Sequence, residues 1–408
     1  MSAQQGEVLP VVVIGGGMIT REVILPTLFQ ERRRGAVGEV CLVSRRAATV
    51  RLCQEMFPGE TLEGVPDPGT AAPEASHPEA YLQALDRLGE EGLVVVATPD
   101  HLHTEMVLAA IERGLHCVVQ KPLCLKAAEA RAIREAARQK GAYVLTDYHK
   151  RHDRAVRAAR TRVARGDLGE MLCGHAWIEE RREMPLHWFA RWCDQSSPFE
   201  YIGVHYADAY YFITGLLPRR LAAWGQKKLL PAMGKDAFDA VQAAIEWEDG
   251  SVLYVQTSWV LAEGHTALTK QGLQLTGTQG EYWADHKDRN CYFCTQEGGF
   301  EHYNPNFFRG YIHPDDPGRL EYVGYGYESI AQGIGDVRRI LAATRGLEPG
   351  EALERRRQLL AELEPVRALP SQALVGTAIN EAVRLSIDAG GAYVTFGEDL
   401  APCLASGD

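Results

Sequence analysis

Short apolar runs alternate with stretches of helical periodicity over the first 150 residues. The runs at 10–14, 39–43, 93–97, 116–119 and 142–145 predict strands. Between them, 18–34, 46–56, 79–89, 101–113 and 126–140 predict helices. The strand runs are continuous and rich in valine rather than alternating, as expected for parallel strands covered on both faces. Regular strand–helix alternation of this kind predicts a doubly wound α/β sheet.

The pattern changes after Tyr148. A helix is expected near 153–166, ended by the Gly/Asp turn in "RGDLGE", and a strand follows in "MLCGHAWIEE". A second helix over 203–215 closes at Gly215. Alternating segments then follow at 220–229, 238–248, 251–262, 269–277 and 280–286, with Asp249-Gly250 as a hairpin signal. This half predicts an open, mostly antiparallel sheet with a few helices. Helical pattern returns at 327–345 and 371–389. The span 290–325, rich in Tyr, Phe, Asn, Pro and Gly, is expected as a long functional loop or a pair of short irregular strands. Within it 315–318 reads as a turn. The shift places a boundary between a Rossmann dinucleotide-binding domain, 1–148, and a substrate-binding and oligomerisation α/β domain, 149–408.

Composition narrows the class without changing this picture. A chain of 408 residues, 46% hydrophobic and 24% charged, has material for two globular domains. The net charge of −11, with no basic block beyond Arg32-Arg33-Arg34, argues against nucleic acid or an anionic membrane as partner. The opening "MSAQQGEVLPVVVIGGG" lacks the pattern of a secretory signal, and no run of 18 apolar residues occurs. Nine scattered cysteines then fit reduced thiols in a cytoplasmic enzyme. Cys291 and Cys294 lie in a strand-like alternation and predict no zinc site.

Candidate chemistry begins at "VVVIGGGMIT", a strand running into three glycines and a helix. Gly15 permits the tight turn, and Gly17 lets the backbone approach a pyrophosphate at the helix N-terminus formed by Met18 and Ile19. Thr20 stands where the fingerprint expects a third small residue. The second strand ends in Ser44-Arg45-Arg46, where an NAD site carries a carboxylate for the ribose 2′-hydroxyl. Glu39 sits at the opposite end of that strand. A hydroxyl and two guanidinium groups would welcome a 2′-phosphate, so NADP is expected over NAD. Farther on, "VVQKP" drives an apolar strand into Lys121 and locks it against Pro122. A fixed, partly desolvated lysine suits proton transfer near neutral pH.

These pieces, in order, resemble the glucose–fructose oxidoreductase/inositol dehydrogenase (Gfo/Idh/MocA) family. The resemblance rests on the glycine turn, "VVVATPDHLHTEMVLAAIERGLHCVVQKPL" at 94–123, "DYHKRHD" at 147–153, "GDLGEM" at 166–171 and "GVHYADAYYFITG" at 203–215. The family's usual wording is Glu-Lys-Pro, and here Gln120 replaces the glutamate. The resemblance implies a Rossmann domain followed by an α/β domain with an open sheet, acting on a secondary alcohol or ketone of a sugar, polyol or glycoside. It implies that Lys121 points at substrate beside the nicotinamide, that a cis bond precedes Pro122, and that His205 is the active-site histidine. Thr98, Pro99, His103 and Gln120 would border the cofactor.

Where the family commonly has an aspartate four residues before that histidine, this chain has Tyr201, with Glu200 adjacent. Either Lys121 or His205 would then act as base while the other holds the oxygen, with Tyr201 as donor or relay. Asp208 would orient the imidazole or stand in solvent. Tyr148, His149 and Lys150 would reach substrate, and Trp188, Trp192 and Tyr206 would form a stacking wall. No metal is required. Two other readings carry weight: a redox-assisted glycoside hydrolase or lyase with tightly held NAD(P), and a non-catalytic sensor of cofactor and sugar. A homodimer or homotetramer would form through the open sheet.

Overall fold

The computed structural model of the chain describes residues 8–89 and 91–405. Continuous apolar runs become strands: β1 (Leu9–Ile14), β2 (Val37–Val43), β3 (Glu63–Val65), β4 (Leu93–Val96), β5 (His116–Gln120) and β6 (Val144–Asp147). Helices α1 (Leu25–Arg33), α2 (Ala47–Met56), α3 (Ala80–Leu88), α4 (His103–Glu112) and α5 (Ala127–Lys140) alternate with them. Next come α6 (Arg154–Ala164), β7 (Met171–Arg181), α7 (Val204–Thr214), β8 (Pro218–Gln226), a one-turn α8 (Leu229–Ala232), β9 (Ala240–Trp247) and β10 (Val252–Leu261). Strands β11 (Thr269–Gly277) and β12 (Glu281–Asp285) precede two hairpins, β13 (Tyr292–Thr295) with β14 (Gly299–His302) and β15 (Arg309–His313) with β16 (Asp316–Val323). The chain ends in α9 (Tyr325–Thr344), α10 (Pro349–Leu363), α11 (Pro370–Asp388), β17 (Val394–Phe396) and β18 (Pro402–Leu404).

Two compact units result. The first holds residues 1–124, 129–149 and 308–373. Its six strands run parallel in the order β3-β2-β1-β4-β5-β6, the strand order of dinucleotide-binding sheets. Every residue of β4 and β5 is buried, which explains why their sequences show no alternation. The chain leaves this unit after His149, one residue past the expected boundary, but 308–373 return to it. Helix α9 packs against β5 and β6, so a single cut after residue 148 does not describe this division.

The second unit holds 125–128, 150–307 and 374–408. Its eight-stranded sheet runs β12-β11-β7-β10-β9-β8-β17-β18, antiparallel except for the β7–β10 pair. The Asp249-Gly250 hairpin joins β9 to β10 as expected. Strand β9 alternates strictly between buried and half-buried residues, so one face is covered and the other is not.

Several expectations needed correction. The 290–325 span forms two hairpins rather than one pair of strands, and Asp316 pairs with His313, so the turn is 313–316, two residues earlier than 315–318, and β16 takes up 316–318. Helix α10 had no counterpart in the sequence reading; its charged run ERRRQ leaves few apolar positions, with Leu359 and Leu363 buried.

Candidate active site

In the first unit the glycine turn is built by close contact. Gly15 has φ +107°, and a Cβ there would stand 2.2 Å from the Ala97 carbonyl oxygen. Only glycine fits. This contact sets the turn against the end of β4, with the Thr98 methyl beside it. Thr20 proves more than a tolerated departure: its buried hydroxyl donates to the Gly15 carbonyl at 2.7 Å and ties the first helical residues back to the turn. Met18 and Ile19 open that helix, whose next turn, Thr20–Ile24, is π-helical. The Gly16 and Gly17 amides bond to nothing among the described residues, and the space where a Gly17 side chain would project is open. Free amides beside open space at a helix start fit the pyrophosphate of a dinucleotide.

At the end of β2, Ser44 N–H donates to the Val65 carbonyl, which fixes the backbone there. Arg46, half-buried, precedes α2 and pairs with the largely exposed Glu74 at 3.4 Å. Arg45 is exposed and makes no ion pair among the described residues. Glu39 is exposed near the start of β2.

His103 is a correction. It was expected beside the cofactor, but it is fully buried, with Nδ1 2.9 Å from the Pro122 carbonyl and Nε2 3.0 Å from the Thr98 carbonyl. Both ring nitrogens are taken by backbone oxygens, so the imidazole joins the Thr98-Pro99 bend to the Lys121-Pro122 bend. It does not cap its helix. The Lys121-Pro122 bond is cis, as the resemblance implied, and Lys121 is partly exposed.

Gln120 also points inward. It is in register with Asp147 across β5 and β6, and its Nε2 donates to Asp147 Oδ2 at 2.7 Å. Ser329 on α9 donates to the other carboxylate oxygen. Burial pushes the Asp147 carboxyl up, while Ser329, Gln120 and the Lys121 charge pull it down. Nothing in a single strand-end aspartate announced this. The signal available was that the family's glutamate was missing and an aspartate stood at the matching end of the next strand. Tyr148 is buried in the core, and His149 stacks on Tyr325 at 5.5 Å.

In the second unit His205 lies in the first turn of α7 and is 5% exposed. Asp208 neither serves the imidazole nor meets solvent. It is buried and takes a two-pronged contact from Arg151, Nε to Oδ2 at 2.9 Å and Nη2 to Oδ1 at 2.6 Å. Glu200 is likewise committed, to Arg384 on α11. Tyr201 packs in an aromatic cluster with Phe189, Trp192 and Trp259 at centroid distances of 5.0–6.2 Å. The expected wall is therefore divided: Trp192 belongs to this cluster, Trp188 is half exposed, and Tyr206 is buried elsewhere.

Tyr206 instead contacts Lys150, which is buried as well. The Lys150 amine donates to Gln271 Oε1 and lies 5.0 Å from the Tyr206 ring. Desolvation lowers its pKa to about 8. The Tyr206 hydroxyl meets His286 Nδ1 at 3.0 Å, and Tyr282 meets Nε2 at 3.2 Å. Burial, with Lys150 charge added, holds His286 at about 3.

Known proteins place this architecture. A model of an oxidoreductase family with an NAD-binding Rossmann fold matches residues 9–148, and one of the GFO/IDH/MocA C-terminal domain matches 156–283. The 1,5-anhydro-D-fructose reductase of Ensifer adhaerens is 30% identical over 196 residues, 46% of this chain and 55% of that protein. Levoglucosan dehydrogenase of Pseudarthrobacter phenanthrenivorans is 28% identical over 191 residues, 41% and 49% of the two chains. The chain thus spans about half the length of the curated relatives it matches. An inositol dehydrogenase homolog from Azotobacter vinelandii, solved with NADH and myo-inositol, shares the fold at a TM-score of 0.69 and 21% identity, over 96% of this chain and 99% of that one. With both of its domains matched in sequence order, this chain belongs to the GFO/IDH/MocA oxidoreductase family.

Proposed function

We propose that this protein is an NAD(P)-dependent oxidoreductase that moves hydride between nicotinamide and a secondary alcohol or ketone of a carbohydrate-like substrate. One observation carries the reading: His103 fastens the bend beside the nucleotide turn to the bend that presents Lys121. A cofactor cradle and an amine are thereby held on one rigid piece of the sheet's carboxyl edge, where ligands bind in open α/β sheets. The relatives named above act on sugar derivatives by their names, which agrees in substrate class.

In this reading the bound nicotinamide supplies the hydride acceptor or donor. Gly15, Gly16 and Gly17 hold the pyrophosphate through turn geometry and free amides, with Met18 and Ile19 beginning the helix behind it. Thr98 and Pro99 border the cofactor. Lys121 handles the hydroxyl proton. His205, in the second unit, is the candidate second proton-handling group, and Tyr201 occupies the sequence position four residues before it where the family commonly has an aspartate. His149, Lys150 and Trp188 are candidates for substrate contact. NADP is preferred because Arg45 is exposed and unspent where a 2′-phosphate would sit, with Ser44 and Arg46 flanking it.

We also read the uncovered face of the second sheet as a contact between copies of this chain. Across it run Trp283, Gln274, His175 and Tyr254 in one register row, and Trp224, Gln242, Gln256 and Trp177 in the next. Trp283 is 63% exposed. Such an aromatic sheet face suits a homodimer or a pair of dimers.

Absorbance at the reduced-nicotinamide band, with a panel of sugars and both cofactors, tests the activity. Net turnover is expected with at least one sugar, and Lys121→Ala should reduce it by about 100-fold or more while cofactor binding persists. Full activity in that variant, or release of an aglycone with no net absorbance change, overturns the dehydrogenase reading.

A further inference from the structure

Gly16 stands between the two glycines of the nucleotide turn, at a position the dinucleotide fingerprint leaves open. Its backbone gives no reason for glycine, since its φ, unlike that of Gly15, is not positive. The reason lies in α2. A Cβ at Gly16 would stand 2.5 Å from the Thr49 methyl carbon, closer than such atoms pack. Thr49 is the third residue of α2, so this helix presses its first turn onto the nucleotide turn. The methyl makes that contact and leaves the hydroxyl over. The hydroxyl forms no hydrogen bond among the described residues, and Thr49 is only half-buried. A threonine in a helix often turns its hydroxyl back to the carbonyl four residues earlier. Here that carbonyl, of Arg45, takes the His77 N–H at 2.8 Å. The Gly15 N–H donates to the Val43 carbonyl at 2.8 Å, which sets the turn against the end of β2, one residue before Ser44. The Ser44 hydroxyl is also unbonded among the described residues, and Glu74 is spent on Arg46 at 3.4 Å. Two hydroxyls and the Arg45 guanidinium are thus left for a ligand. A phosphate ester, with three acceptor oxygens, takes donors of this kind.

We propose that Thr49 is a specificity-determining residue for the cofactor, its hydroxyl donating to the adenosine 2′-phosphate of NADP. This rests on the reading of the chain as an oxidoreductase that prefers NADP. One side chain then does two things. The methyl, admitted by the bare Gly16, sets how closely α2 approaches the turn, and that contact holds the hydroxyl in place. NAD offers no charged acceptor at this point, so it gains far less from the same hydroxyl.

The test is titration calorimetry of the full chain with 2′,5′-ADP and 5′-AMP, which differ only in the 2′-phosphate. The parent should bind 2′,5′-ADP more tightly. Thr49→Val keeps the shape and the methyl contact but removes the donor. It should weaken 2′,5′-ADP about 10-fold and leave 5′-AMP within about twofold, which also reports that the variant is folded. Thr49→Ser keeps the donor and should hold 2′,5′-ADP within about threefold of the parent. Gly16→Ala should weaken 2′,5′-ADP in the parent and cost less in Thr49→Ser, where the blocking methyl is gone. An affinity for 2′,5′-ADP that Thr49→Val does not move, or equal losses for both nucleotides, overturns the proposal. So does a loss in Thr49→Ser as large as that in Thr49→Val, or a Gly16→Ala cost that is the same in both backgrounds. The two failures are distinct. A parent with no preference for 2′,5′-ADP removes the NADP reading and this proposal with it, whereas a parent preference that survives Thr49→Val removes the role of Thr49 alone.

Discussion

Arg45 shows how much one exposed side chain decides. Its neighbour Arg46 shares its charge with Glu74, whereas Arg45 has no such partner among the described residues. Arg45→Ala is therefore expected to raise the Michaelis constant for NADP about 10-fold and leave that for NAD nearly unchanged, read from initial rates with each cofactor. Equal effects on both would remove the 2′-phosphate argument. At this scale the sequence was partly legible. Lys121 was conspicuous because an apolar strand ran into it and a proline followed. Gly15 was legible because a φ of +107° has a chemical signature in the residue type itself. Asp147, Lys150 and His103 were not, because burial and hydrogen-bond partners are properties of the folded chain.

The helix pair α6–α7 depends on one buried ion pair beside it. Arg151, just before α6, gives two hydrogen bonds to Asp208 in the middle of α7. Burial raises the Asp208 carboxyl and the Arg151 charge pulls it back down. Arg151→Gln leaves that carboxylate without its counter-charge, which costs about 3 kcal/mol. Chemical denaturation should show this loss, and the double variant Arg151→Gln/Asp208→Asn should recover part of it. A double variant as unstable as the single would mean that the pair contributes shape rather than charge. The periodicity of α7 was readable in sequence; its polar partner was not, since Asp208 stands one turn from His205 and spacing alone favoured that neighbour.

For the whole molecule, two buried histidines set an acid limit, one in each unit. Burial, aided by the Arg356 charge, holds His116 at about 3, and burial with the Lys150 charge does the same for His286. Both are neutral in the folded chain and titrate near 6.5 when unfolded. Below that value the unfolded state binds more protons, so stability is full above pH 6.5 and falls as pH drops toward 3. Each imidazole should withdraw on the order of 3 kcal/mol by pH 4. Denaturation midpoints measured from pH 7 to pH 4 should show the decline. His116→Asn, whose Oδ1 can still accept the Tyr143 N–H, should flatten it. An acid limb unchanged in that variant would assign the decline to carboxylates.

Local covalent and steric preference determined much from the sequence alone. Valine runs became the covered parallel strands, three glycines became the turn, Asp-Gly closed the hairpin, and a lysine before proline stood at a strand end. Each of these follows from the conformations a few neighbouring residues allow. Tertiary structure alone decided which charges meet. The pairing of Gln120 with Asp147, the return of α9 to the first sheet, and the enclosure of Lys150 by Gln271 and Tyr206 join residues 27 to 182 positions apart. Electrostatics inside a protein depends on distance in space and on lost water, and neither quantity is written in the order of the residues.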